Sequence, residues 1–133
     1  MRTLDILLLE DNIVTANEFK QELEKQGHTV QLASTVREAL DLNRERAYDL
    51  YVLDLRVEMN KGEDDLSDGG IIVAKAVTNR WGYSKNKLYN STIPSKPEKP
   101  LLKQIGYISD VSGEVVEIGK NTETLNAVLK QIL

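Results

Sequence analysis

Leu4-Asp5-Ile6-Leu7-Leu8-Leu9, followed at once by Glu10-Asp11-Asn12, is an apolar run too short for a helix and closed by a polar cluster. A strand buried on both faces reads this way, because helices covering a parallel sheet from both sides leave no solvent-facing positions along it. The run predicts a central parallel strand with its charged residues at the carboxyl end.

Outward from that strand, apolar and amphipathic segments alternate. Ala16, Phe19 and Leu23 fall at helical spacing between Ile13 and Gln26, and Gly27 stands where a left-handed helix stop belongs. His28 to Ala33 alternates Val30 and Leu32 with polar residues, as an edge strand does. Thr35 and Glu38 have the spacing of a capping box ahead of Val36, Ala39, Leu40 and Asn43. Leu50 to Leu55 is a second short apolar run, broken near its end by Asp54. After an acidic loop, Gly69-Gly70 opens a helix through Val73, Val77 and Trp81. Val115 to Ile118 reads as a strand, and Leu125, Val128, Leu129 and Ile132 form an apolar stripe behind Asn121 or Thr122 as a cap. His28 and Trp81 read as a strand-edge polar residue and a helix-end packing aromatic.

Strands alternating with helices across short links imply an α/β fold: a flavodoxin-like, doubly wound, five-stranded parallel sheet of order 2-1-3-4-5, with helices on both faces. The chain has 133 residues, enough to bury a core, and 1–133 reads as a single domain. It contains no cysteine, no apolar run of membrane-spanning length and no leader pattern, so a soluble, cytoplasmic protein with no membrane partner is expected. The net charge of -4 argues against binding nucleic acid by bulk phosphate neutralisation. Glu58, Glu63, Asp64, Asp65 and Asp68 make 56–68 acidic, while six basic residues against Glu98 make 80–103 basic. Both read as solvated loops.

Sites in such sheets lie beyond the carboxyl ends of the strands. Glu10 and Asp11 end the first strand and Asp54 ends the third, its neighbour in the 2-1-3-4-5 order. Three carboxylates gathered there repel one another unless a cation shares the site, and hard oxygen ligands suit magnesium. A carboxylate beside such a cation can attack a phosphoryl group, with a lysine neutralising charge on the transferred oxygens. Asp54 fits the nucleophile, and Lys120 fits the lysine, because it follows a strand that would aim it at the same edge.

The run Ile6 to Asn12, the run Asp49 to Leu55 and the glycines opening the third helix together resemble receiver domains of two-component response regulators, over nearly the whole chain. The resemblance implies that Asp54 accepts phosphate from a histidine kinase or phosphotransfer protein and that the signal passes to a downstream protein target. It implies that Mg2+ is held by Glu10, Asp11, Asp54 and the backbone carbonyl of Arg56. Any enzymatic activity would be confined to phosphorylation and dephosphorylation of Asp54 itself.

Departures from the family pattern are concentrated in the second half. The loop from Arg56 to Asp68 is longer than usual, Glu117 stands where an aromatic switch is common, and Asn121 replaces a proline. The region 83–113 is irregular, with Pro94, Pro97 and Pro100. It offers two candidates for the hydroxyl that ends strand four. Ser109 would end a strand 105–109, whose short link to the next strand makes a hairpin and carries Lys120 to the wrong end. Thr92 would end a strand 88–92 and preserve the parallel topology. A dehalogenase-type phosphohydrolase would need a second aspartate where Arg56 stands, and a flavodoxin-like electron carrier would need a phosphate loop where Glu10-Asp11-Asn12 stands. The remaining alternative is a pseudo-receiver, a protein-interaction module that is not phosphorylated.

Overall fold

The computed structural model describes residues 3–54, 56–66, 69–81, 86–89 and 122–132. In chain order these form β1 (Asp5–Leu9), α1 (Ile13–Lys25), β2 (Thr29–Ala33), α2 (Val36–Glu45), β3 (Leu50–Leu53), β4 (Val57–Glu58), β5 (Asp65–Leu66), α3 (Gly69–Trp81), β6 (Asn86–Tyr89) and α4 (Thr122–Ile132). Among the described residues the main sheet has four strands in the order β2-β1-β3-β6, and every pairing in it is parallel. The expected fifth strand, 115–118, lies outside the described residues.

Alternation along β1 sorts the apolar residues into two layers. Ile6 and Leu8 pack with Phe19 and Leu23 of α1, Leu50 and Val52 of β3, and Leu125 and Leu129 of α4. Leu7 and Leu9 point the other way, to Val36 and Ala39 of α2, Tyr51 and Leu53 of β3, and Val73 and Val77 of α3. All four β1 side chains are fully buried. Each such burial contributes roughly 1.5–3 kcal/mol, whereas an exposed ion pair gives about 0–1 kcal/mol. Two-sided burial therefore holds the strand in register.

Local signals set the element ends. The Asn12 side chain accepts hydrogen bonds from Val14 N–H (3.0 Å) and Thr15 N–H (3.1 Å), starting α1 immediately after the acidic pair. Gly27 closes α1 at φ +95°, a backbone that costs glycine least. Thr35 accepts from Glu38 N–H at 3.1 Å, while the Glu38 carboxylate accepts from Ser34 N–H at 2.9 Å. The expected capping box is thus present with its return bond one residue earlier. Trp81 ends α3 with its indole N–H donating to Asn43 Oδ1 at 2.9 Å and to Asn43 C=O at 3.1 Å, which fastens α3 to α2.

The described strand next to β3 on the side away from β1 is β6, which overlaps one of the two sequence alternatives, 88–92, while the other, 105–109, lies outside the described residues. It pairs parallel to β3 with Leu50 opposite Asn86 and Leu53 opposite Tyr89, so it starts two residues before the expected 88–92. Thr92 and Ser109 both lie outside the described residues.

Two findings go beyond the sequence expectation. The acidic loop contains an antiparallel ribbon, β4–β5, pairing Val57 with Leu66 and Glu58 with Asp65. Val57 is fully buried, and Arg37 N–H donates to Met59 C=O at 3.1 Å, which fastens the ribbon to the start of α2. Gly69 is required by this packing, since a Cβ there would lie 2.7 Å from Val57 Cγ2 and 3.0 Å from Val36 Cγ2. His28, just before the edge strand β2, is only 5 % exposed, with Nδ1 accepting from Leu4 N–H at 2.9 Å. Accepting that bond requires a neutral ring nitrogen, and burial pushes the His28 pKa below its ordinary value.

Gly69→Ala should destabilise the protein by about 1–3 kcal/mol, the usual range for overpacking, read as a lower urea midpoint with unchanged slope; a midpoint equal to wild type would contradict the close packing. The unfolded chain protonates His28 first as pH falls, so this residue's contribution is complete above about pH 6.5 and declines below it toward the depressed folded pKa. Urea midpoints at pH 7.5 and 5.5 should therefore differ more for wild type than for His28→Gln.

Candidate phosphoryl and cation site

The ladder that builds the sheet also builds the site. The last paired residues are Leu9 with Ala33 and Leu9 with Leu53. One step beyond, Glu10 N–H donates to Ala33 C=O at 3.0 Å and Asp54 N–H donates to Leu9 C=O at 3.1 Å. Glu10 and Asp54 thus leave two adjacent strands at the same level. Asp11 follows in the short link to α1, held by the Asn12 cap.

One carboxylate oxygen from each of Glu10, Asp11 and Asp54 lies within 4.8 Å of the other two. Glu10 and Asp54 are each only 2 % exposed, while Asp11 is half-buried. Oxygens on opposite sides of an ion with 2.0–2.6 Å bonds stand about 4–5 Å apart, so the cluster has the span of one divalent cation's ligand set. An all-oxygen set with no thiolate or imidazole suits a hard cation such as magnesium or calcium rather than zinc. The cation would offset the repulsion of three carboxylates brought this close.

The three acidic residues named from the sequence are brought together. Arg56 lies two residues after Asp54 with an exposed side chain, and Lys120 lies outside the described residues.

A feature missed in the sequence borders the cluster. Between the start of α1, the end of β2 and the β4–β5 ribbon lies a cleft of about 330 Å³ whose walls include Glu10, Asp11, Ile13, Leu32, Glu58 and Lys61. Glu58 and Lys61 come from the ribbon. The signal for its turn was Asn60-Lys61-Gly62-Glu63: Glu63 N–H donates to Asn60 C=O at 3.2 Å and Gly62 has φ +89°, the left-handed third position of a type II turn. Ile13, in the lining of the cleft, and Val14 beside it in the chain are 74 % and 63 % exposed, the large apolar side chains left in solvent among the described residues.

Neither a protein-family model nor a curated protein sequence matches the chain. Solved structures do. The chemotaxis protein CheY4 of Vibrio cholerae is similar at 22% identity with a TM-score of 0.77, over 99% of this chain and 100% of that one. A CheY-like receiver domain protein of Methanospirillum hungatei JF-1 is similar at 17% identity and a TM-score of 0.77, over 98% and 93% of the two chains. A two-component response regulator of Clostridium difficile is similar at 21% identity and a TM-score of 0.74, over 96% and 93%. The chain therefore has the receiver-domain fold, an open parallel sheet with helices on both faces.

Proposed function

We propose that the chain is a phosphoacceptor receiver domain, one domain over residues 1–133, working in two-component or phosphorelay signalling in the cytoplasm. The observation that carries this reading is the convergence of Glu10, Asp11 and Asp54 at adjacent strand ends; the receiver-domain fold supports it. No described helix is long and apolar enough to cross a membrane.

Asp54 is the nucleophile. An oxygen of its carboxylate forms the bond to phosphorus while the bond from phosphorus to the donor group breaks, and the leaving group departs with that electron pair. The donor is a phosphohistidine of a kinase or phosphotransfer protein, or a small acyl phosphate. Main-chain pairing to Leu9 fixes the Asp54 backbone at the strand end, level with Glu10, so the position of the nucleophile is set before any donor arrives. Glu10, Asp11, Asp54 and the Arg56 carbonyl would hold Mg2+, which when bound supplies positive charge to the phosphoryl oxygens. Lys120 is assigned the ammonium partner of those oxygens. Near-complete burial of Asp54 limits the approach of water, which favours retention of the phosphoryl group until a downstream protein target reads it. The exposed Ile13 and Val14 offer apolar contact to whichever protein delivers or reads the group.

The test is intact-mass analysis after incubation with Mg2+ and acetyl phosphate. Wild type should gain one phosphoryl group and Asp54→Asn none. A folded wild type that gains nothing would favour instead an interaction module that works without phosphorylation.

A further inference from the structure

The β4–β5 ribbon places a basic side chain, Lys61, in the lining of the cleft that Glu10 and Asp11 also line. Lys61 sits at the corner of the type II turn, and the lining of the cleft shared with Glu10 and Asp11 contains, among the described residues, no other basic side chain. The turn is not loosely attached. Gly62 N–H donates to Glu58 Oε2 at 3.2 Å, Arg37 Nε–H donates to Asn60 Oδ1 at 2.9 Å, and Asn60 Nδ2–H donates to Glu63 Oε1 at 3.1 Å. With Arg37 N–H bonded to Met59 C=O and Val57 buried under Gly69, the ribbon is held at both its base and its tip. The Lys61 backbone is thereby fixed on the wall of the cleft that Glu10 and Asp11 share, and its flexible stem can sweep the cleft.

We infer that Lys61 is an electrostatic partner of the Asp54 site, a positive charge supplied by the ribbon that weakens cation binding and favours the phosphorylated form. This rests on the reading of Asp54 as the phosphoacceptor. The two directions follow from sign alone. A lysine facing Glu10 and Asp11 opposes the arrival of a divalent cation. It attracts the extra negative charge that Asp54 acquires, because an aspartyl phosphate carries roughly one unit more negative charge than the carboxylate it replaces. An exposed lysine acts through water, so its influence is modest and shrinks with salt.

The experiment titrates the full chain with MgCl2 by calorimetry, at low and high ionic strength, for wild type, Lys61→Arg, Lys61→Gln and Lys61→Glu. It also follows phosphoryl uptake from acetyl phosphate at saturating Mg2+. Lys61→Gln should bind Mg2+ about two- to fivefold more tightly and take up phosphate more slowly by a similar factor. Lys61→Glu should exceed both changes, Lys61→Arg should match wild type, and added salt should narrow the differences. Mg2+ affinity that is the same in all four folded proteins overturns the inference, as does tighter binding in Lys61→Gln that Lys61→Arg reproduces, since that would be loss of lysine packing rather than of charge. If the affinities shift as expected while wild type takes up no phosphate, the role of Lys61 toward the cation stands and the reading of Asp54 as phosphoacceptor falls.

Discussion

Two main-chain hydrogen bonds, Asp54 N–H to Leu9 C=O and Glu10 N–H to Ala33 C=O, extend the parallel ladder one residue past the apolar strands and set Glu10 and Asp54 at one level, with Asp11 next in the chain. The arrangement is electrostatically costly, because like charges within 4.8 Å repel. What opposes the cost is the burial of Ile6, Leu7, Leu8 and Leu9 between two helical layers. Several residues at roughly 1.5–3 kcal/mol each leave the strand ends no freedom to move apart. The site is therefore a consequence of core packing: the apolar half of each strand dictates where its charged end must stand. A cation that joins the three carboxylates adds its binding energy to a geometry already present.

The same constraint explains how the segment after β3 is held. A chain leaving the carboxyl edge at Asp54 must return to begin α3 on the Leu7/Leu9 face, and Val57 makes the return by entering that core beside Val36. Only a glycine at position 69 allows the first turn of α3 to lie against Val57. Glu63 and Asp64 are exposed while the buried Val57 anchors the segment, so the ribbon forms a wall of the cleft beside Glu10 and Asp11.

Much of this was legible in the amino-acid sequence because the deciding signals are local. Leu4 to Leu9 is apolar without alternation, Asn12 and Thr35 cap the helices they precede, Gly27 stops one, and Asn43 lies on the buried stripe of α2 where it meets Trp81. The acidic triad was legible because two strand ends could be matched once the strand order was assumed. The ribbon was not, because two-residue strands have no periodicity and the acidic composition of 56–68 hid one apolar anchor. The burial of His28 has no signal in the sequence, since its bond to Leu4 is tertiary and has no counterpart in the spacing of neighbouring residues. Strand β6 was displaced by two residues because Asn86 to Tyr89 joins the sheet through its backbone ladder, which any residue but proline can form.

Crystals of the protein soaked with Mn2+, and analysed for anomalous scattering at the manganese edge, test the central claim most directly. The account predicts a peak at about 2.0–2.4 Å from carboxylate oxygens of Glu10, Asp11 and Asp54 together. A folded protein with no peak at those strand ends, or with manganese held by other groups alone, would contradict it.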